Sequence, residues 1–216
     1  MPRRRRFYED YVASQQALLP KDFRTATLKT WKPETERETA ALRAAIALAE
    51  NPGATRGLGL AGGPGRGKTH LAVGIYVRRL ALPLMKPGAP DPTNTDAEFY
   101  RLPDLLNELQ ALAKDGEALA DRLEALQRVR LLIIDDLGVG RPTEFRAEQM
   151  WSILDGRQGS ATVFTSNYTD MAELGAQLDP DPIGAARLMS RLASLCEWHW
   201  LDGRDHRLDQ EAFSWG

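Results

Sequence analysis

The sequence has few of the features that mark secreted or membrane-spanning proteins. Cys196 is the single cysteine among 216 residues, which excludes an internal disulfide and a zinc site built from several cysteines. No apolar run approaches the roughly 20 residues that a membrane-spanning helix needs. The basic stretch at residues 1–6 is not followed by the apolar core of a signal peptide. We therefore expect a cytoplasmic protein with no membrane partner.

Metal-ligand spacing and internal repeats are likewise absent from the sequence. The three histidines, at positions 70, 199 and 206, are scattered, and we interpret them as structural. Hydrophobic residues make up 43% and charged residues 27% of the chain, as in ordinary globular proteins. A chain of 216 residues suffices for one α/β domain with a sizeable core and a short appendage.

The charge is distributed unevenly along the chain. Residues 1–32 carry eight basic and three acidic side chains, a net charge of +5, whereas the whole chain carries −2, so the remainder carries about −7. We interpret residues 1–22 as a basic arm with a helix over 7–19. Such an arm indicates either a nucleic acid or acidic partner surface, or a solubilising terminus.

The rest of the chain alternates short apolar runs with helical patterns, which predicts a parallel sheet with helices on both faces. Ligands of such sheets bind beyond the carboxyl ends of the strands. Residues 83–94 hold four prolines and no periodicity, and we interpret them as a surface loop. The predicted strands are 58–61, 98–102, 131–134, 161–165 and 195–201, and the predicted helices after the arm are 34–50, 69–82, 103–112, 117–128, 145–154 and 183–192.

The first predicted strand is followed by a glycine-rich stretch of the form G-x-x-x-x-G-K-T and then by a helix, the context that a phosphate-binding loop requires. Glycines let backbone N–H groups face a phosphate chain, and the helix dipole favours the same anion. Lys68 is placed to reach the β- and γ-phosphates, and the Thr69 hydroxyl to ligate Mg²⁺. The predicted nucleotide-binding residues are Gly62, Gly63, Pro64, Gly65, Arg66, Gly67, Lys68, Thr69 and His70.

Two aspartates end the apolar run at 131–134. A carboxylate at position 135 can hold Mg²⁺ opposite Thr69, and Asp136 is placed to orient or deprotonate the water that attacks the γ-phosphate. We therefore predict Thr69 and Asp135 as metal ligands and ATP or ADP with Mg²⁺ as cofactors.

Further polar side chains follow the later strands. Asn167 comes directly after the fourth strand, where an amide can hydrogen-bond both water and a phosphate oxygen or simply occupy a turn. Arg187 and Arg191 lie four residues apart, which indicates either a solvated basic stripe or an arginine presented to a neighbouring subunit's nucleotide. Arg204 and Arg207, beyond the last strand, leave the same two interpretations.

Three segments together resemble one known family. They are GLGLAGGPGRGKTHLA at 57–72, LLIIDDLG at 131–138 and FTSNY at 164–168. They are similar to AAA+ ATPases of the DnaC/DnaI helicase loaders and their IstB transposition relatives. The resemblance extends over residues 23–207. It implies a three-layer P-loop NTPase fold of the AAA+ type, with a five-stranded parallel sheet at 23–216, a short N-terminal helical arm and no substantial lid domain.

The resemblance also implies roles and partners. Lys68 and Thr69 would belong to Walker A, Asp135 and Asp136 to Walker B. Asn167 would be sensor 1, Arg191 the arginine finger and Arg207 a late arginine near the nucleotide. The implied function is an ATP-hydrolysing helicase loader that contacts single-stranded DNA and self-associates through ATP. The alternatives are a transposition helper on duplex DNA and a nucleotide-dependent binding switch with negligible turnover. Helicase loaders carry a larger N-terminal domain, so helicase contact would here fall to residues 3–19.

Overall fold

The computed structural model describes residues 2–82 and 97–207, without the side chains of residues 2–4. The loop expected at 83–94 lies outside the described residues. The predicted five-stranded parallel sheet is confirmed, with the strand order β2-β3-β4-β1-β5. The strands are β1 (Gly57–Ala61), β2 (Ala97–Arg101), β3 (Leu131–Leu137), β4 (Ala161–Ser166) and β5 (Cys196–Trp200).

The described residues also form eight α-helices. None of these described helices is long and apolar enough to cross a membrane. The helices are α1 (Pro2–Leu18), α2 (Glu36–Ala49), α3 (Lys68–Leu80), α4 (Leu102–Leu112), α5 (Gly116–Arg128), α6 (Glu144–Gly156), α7 (Met171–Leu178) and α8 (Pro182–Leu195).

Local sequence explains most of these boundaries. Five helices begin after a threonine or aspartate whose side chain accepts a hydrogen bond from a backbone N–H of the first turn. Helix α7, which the sequence analysis did not predict, is one of them: Asp170 accepts from the N–H groups of Ala172 and Glu173. Its eight residues are too few for a clear 3.6-residue period, and capping therefore supplies the stronger signal.

The sheet divides two apolar layers. Helices α1, α2 and α3 cover one face, together with residues 26–31, and α4 to α8 cover the other. Strand β3 lies between two neighbours, and its apolar run Leu131–Ile134 is fully buried. This continuous run has the sequence pattern expected of a strand covered on both faces.

Helix α1 packs on helix α3. It begins at Pro2, earlier than predicted, and Tyr8 and Val12 are buried. The Tyr76 hydroxyl of α3 donates to Gln15 Oε1 at 3.1 Å. Arg5 pairs with Glu9 one turn along the exposed face. The predicted arm is therefore, over its described part, a helix whose apolar side belongs to the core.

Strand register brings the segments that carry the predicted site residues to one edge of the sheet. Ala61 lies opposite Ser166 on one side and Trp200 on the other, and Arg101 lies opposite Asp135. The pairing of β3 with β4 is interrupted by a bulge between Ile134 and Leu137. The phosphate loop, the two aspartates and the end of β4 thus share the carboxyl edge.

Candidate nucleotide-binding site

The loop between β1 and α3 adopts a path that only glycine permits at two positions. Gly65 and Gly67 have φ values of 70° and 75°, in the left-handed region. A Cβ atom on Gly65 would lie 1.5 Å from Asp205 Oδ1, and one on Gly67 would lie 2.5 Å from Trp31 Nε1. The cradle that these glycines form leads directly into the N-terminus of α3, where backbone N–H groups and the helix dipole favour a phosphate group.

Lys68 holds a buried positive charge inside this loop. Its Nζ donates to the carbonyl oxygens of Gly62 at 2.8 Å and Gly63 at 2.7 Å, and the residue is 7% exposed. Burial lowers the pKa of Lys68 to about 8, opposed by the Asp135 carboxylate and assisted by the Arg207 charge. A cation of this kind gains most from an anionic ligand, because its own solvation has already been lost.

Asp135 is the buried carboxylate of the site, at 1% exposure. The Thr69 hydroxyl donates to it, with Oγ1 at 3.0 Å from Oδ1 and 3.2 Å from Oδ2, and the Thr165 hydroxyl donates to Oδ1 at 2.6 Å. Burial raises the pKa of Asp135 to about 6, and both hydroxyls oppose that rise.

The donor set at Asp135 and Thr69 fits Mg²⁺. Mg²⁺ prefers hard oxygen ligands and is bound in nucleotide sites by one or two carboxylates together with phosphate oxygens. Each hydroxyl has one proton, so Thr69, which donates that proton to Asp135, keeps its lone pairs for a metal. The two predicted metal ligands are thus in contact with one another.

Asp136 occupies an unusual backbone conformation at the bulge of β3. Its φ of 64° makes it the one non-glycine residue with positive φ among those the structure describes. Its N–H donates to Thr165 Oγ1 at 2.9 Å. Its carboxylate accepts from Arg101, at 3.1 Å from Nη2 and 3.3 Å from Nε. The candidate general base is therefore held by an arginine at the end of β2 that sequence reasoning missed.

The remaining predicted residues fall into two groups. The 201–207 segment, which we call the strap, lies on the phosphate loop: Arg66 donates to the Leu201 carbonyl at 3.2 Å, and the His206 N–H donates to the Gly65 carbonyl at 3.1 Å. Arg207 lies close enough for its charge to lower the pKa of Lys68. The strap thus brings the late arginine to the site.

Three other predicted side chains are exposed or contact other segments. Asn167 follows β4 and is exposed. The His70 ring contacts the Thr27 carbonyl at 3.1 Å and Thr30 Oγ1 at 3.0 Å, so it joins α3 to the segment before α2. Arg191 pairs with Asp155 at 2.6 Å.

Arg191 lies far from the phosphate loop along the sheet. It is on the last turns of α8, which leads into Cys196, and Cys196 pairs with Gly57 at the start of β1. That end of β1 is the amino edge, opposite the loop that follows Ala61. The structure therefore does not bring Arg191 together with Lys68 and Asp135.

Trp31, Arg101, Thr165 and Asp205 line the site without having been predicted. Trp31 Nε1 donates to the Gly67 carbonyl at 3.1 Å and is buried. One feature of the sequence could have indicated Arg101, namely its position at the carboxyl end of a strand. The others are ordinary residue types whose contacts arise only through folding.

The sequence model of the family described as IstB-like ATP binding protein matches residues 34–214, most of the chain. The chain belongs to this family. Together with the P-loop fold, this membership makes it an ATP-binding protein of the AAA+ type, and the suspected IstB and DnaC/DnaI relationship is confirmed.

Individual relatives are moderately similar. A Geobacillus stearothermophilus protein named as an ATP-binding protein of insertion sequence IS5376 is 25% identical over 150 residues, covering 69% of this chain. The chain spans 55% of that relative's length. The crystal structure of DnaI is 26% identical, with a TM-score of 0.69 over 89% of this chain and 99% of that chain. The crystal structure of the DnaC helicase loader is 24% identical and shares the fold, with a TM-score of 0.69 over 85% and 100%.

Proposed function

We propose that this protein hydrolyses ATP with Mg²⁺. The observation that carries the proposal is the contact between the phosphate-loop residue Thr69 and the buried Asp135, with Lys68 in the same loop. Mg²⁺ would supply Lewis-acid stabilisation of the charge that develops on the phosphates. Its ligands from this chain would be the Thr69 hydroxyl and the Asp135 carboxylate.

The other side chains have separate tasks in this proposal. Lys68 binds the β- and γ-phosphates and neutralises their charge. Asp136 orients the attacking water, and its carboxylate accepts a hydrogen bond from Arg101. Asn167, exposed after β4, is available to a water or a phosphate oxygen. Arg207 adds a positive charge from the strap.

The experiment that tests the ATPase proposal compares two lysine variants. Lys68→Ala removes the charge from the phosphate loop and is expected to abolish Mg²⁺-dependent ATP hydrolysis. The matched control is Lys114→Ala, which removes an exposed lysine between α4 and α5 and should leave the rate unchanged. Unchanged hydrolysis by the Lys68→Ala protein would refute the assignment.

We further propose that the ATP site is shared between subunits. Arg191 lies at the opposite edge of the sheet from its own phosphate loop, so an arginine finger there would have to serve a neighbouring copy. ATP at the subunit interface would then favour assembly, and hydrolysis would release it. Mixing Lys68→Ala and Arg191→Ala chains tests this, because a shared site regains activity at interfaces that combine the two intact halves. Absence of any regain at saturating ATP would argue against sharing.

For the biological role we propose a loader of a replicative helicase that contacts single-stranded DNA. The likeness to DnaI over 99% of that chain supports this role. Residues 1–19 would contribute the contact with DNA or with the helicase. Because α1 is packed on α3, deletion of these residues would also remove the buried side chains of Tyr8 and Val12 from the fold. The sharper test replaces Arg3 to Arg6 by glutamine and measures how DNA affinity depends on salt concentration. The slope of log affinity against log salt should become shallower, by the equivalent of up to about four phosphate contacts.

The second candidate is a transposition helper ATPase that binds duplex DNA. The family match at 34–214 and the insertion-sequence relative favour it. ATP-dependent filaments on duplex DNA, with no effect on a helicase, would select this role. Preferential binding of single strands together with helicase loading would select the first.

A third candidate is a nucleotide-dependent binding switch with negligible turnover. The ion pair between Arg101 and Asp136 favours it, because a carboxylate that is held by a guanidinium is less available to an attacking water. Partner affinity measured with ATP, with ADP and without nucleotide distinguishes the two modes. A switch responds to ATP binding alone, whereas a motor needs turnover.

A further inference from the structure

Thr165 makes two hydrogen bonds that join the paired aspartates. Its side chain is fully buried in β4. The hydroxyl donates to Asp135 Oδ1 at 2.6 Å and accepts from the Asp136 N–H at 2.9 Å. A hydroxyl has one proton and two lone pairs, so it can fill both roles at once.

Each bond fixes a different part of the site. The bond to Oδ1 holds the plane of the Asp135 carboxylate, and Thr69 contacts both oxygens of that carboxylate. The bond from the Asp136 N–H supports a left-handed backbone that a non-glycine residue rarely adopts. Without the hydroxyl, that N–H would lose its partner beside a buried strand.

We propose that Thr165 is a positioning residue for the Mg²⁺–nucleotide site, setting the Asp135 carboxylate and the Asp136 backbone together. The inference rests on the proposed ATPase function. It assigns the coupling between β3 and β4 to Thr165 and not to Asn167, which is exposed two residues further on. Because the hydroxyl touches the ligand and not the metal, its effect should appear in Mg²⁺ affinity before it appears in nucleotide binding itself.

The test measures how Mg²⁺ strengthens the binding of a fluorescent ATP analogue. Thr165→Val keeps the shape and removes the hydroxyl, whereas Thr165→Ser keeps the hydroxyl. Thr162→Val is the matched control, since Thr162 is also fully buried in β4 and its hydroxyl accepts from Arg157 Nε at 2.7 Å. All four proteins are titrated with Mg²⁺ and also with EDTA present.

We expect Thr165→Val to raise the Mg²⁺ concentration at half-effect by about tenfold or more, the range found for outer-shell partners of metal ligands. Thr165→Ser should stay within about twofold of the wild type, and binding in EDTA should be unchanged in both. A midpoint for Thr165→Val equal to that of the wild type would overturn the inference, as would an equal shift in Thr162→Val. Absence of any Mg²⁺ effect in the wild type would instead refute the proposed function.

Two further measurements keep the inference falsifiable if Thr165→Val does not fold. Thr165→Ala, which leaves space and no branched methyl group, is expected to show the same Mg²⁺ shift. In the wild type, the Asp136 amide should exchange its hydrogen slowly, because its partner is a buried hydroxyl. Fast exchange of that amide in the folded protein would contradict the proposed bond.

Discussion

Replacing Gly65 by alanine tests whether the strap and the phosphate loop fit together as described. Gly65 has a φ of 70°, and an alanine Cβ there would lie 1.5 Å from Asp205 Oδ1. Ordinary contact begins at 3.4 Å, so the Asp205 side chain must move by about 2 Å, since a packed site tolerates little overlap. That movement breaks the bond from the Arg207 N–H to Asp205 Oδ1, now 2.9 Å long.

The expected magnitude has two parts. A left-handed conformation costs an L-residue about 1–2 kcal/mol. The broken hydrogen bond adds about 1 kcal/mol. Gly159→Ala isolates the first part, because Gly159 has a φ of 79° and no atom within 4 Å of the added Cβ. Gly65→Ala should therefore destabilise the protein by about 1 kcal/mol more than Gly159→Ala does.

The assay is a double-mutant cycle in urea unfolding. Removing the carboxylate by Asp205→Ala removes the clash, so Gly65→Ala in that background should cost no more than Gly159→Ala. The coupling free energy would then be about 1 kcal/mol, above the 0.3–0.5 kcal/mol error of additive sites. The affinity for ATP should fall in Gly65→Ala and not in Gly159→Ala, since Arg207 moves with the strap. Additive effects within that error would refute the docking of the strap on the loop.

Three other predictions concern the charges and the buried polar groups. Burial lowers the pKa of Lys68 to about 8, so this side chain loses its proton as the pH rises through 8. The affinity for ATP, measured in EDTA, should therefore fall between pH 7 and 9.5, and Lys68→Arg should show a weaker fall. A wild-type affinity that does not change with pH would contradict the lowered pKa. Arg157 donates hydrogen bonds to the carbonyls of the buried residues Leu126 and Val129. Arg157→Met should therefore lower the free energy of unfolding in urea by about 3 kcal/mol, whereas Arg130→Met, at an exposed arginine, should change it by less than about 0.5 kcal/mol. Equal effects of the two substitutions would show that the hydrogen bonds of Arg157 do not stabilise the fold. Burial raises the pKa of the Cys196 thiol, so iodoacetamide at pH 8 should label it only in urea, and rapid labelling of the native protein would show that β5 opens.

The parts of the site that sequence predicted are those encoded within one short segment. Lys68 and Thr69 are specified by the loop that contains them, and Asp135 by the apolar strand before it. The rule that parallel strands end at one edge was enough to place these segments together. It predicted the neighbourhood of Thr69 and Asp135 without any knowledge of strand register.

The residues that sequence missed depend on contacts between distant segments. Trp31 reaches Gly67 because the turn before α2 folds onto α3, and tryptophan in such a turn predicts nothing by itself. Arg101 meets Asp136 only because Arg101 and Asp135 share a register position on adjacent strands. Thr165 was not predicted as a site residue, because a threonine in a strand most often has an ordinary structural role. The neighbouring amide Asn167 was predicted instead.

The position of Arg191 connects the site of one chain to the assembly that we propose. Within one chain, Arg191 pairs with Asp155 and lies 5.4 Å from the centre of the Trp151 ring. The side chains of the ion pair are 23% and 53% exposed, and pairs this accessible contribute at most about 1 kcal/mol. A neighbouring triphosphate, with several negative charges and less solvent around it, offers the guanidinium a stronger partner. The pair would therefore hold Arg191 in place between encounters without preventing its transfer to a second chain.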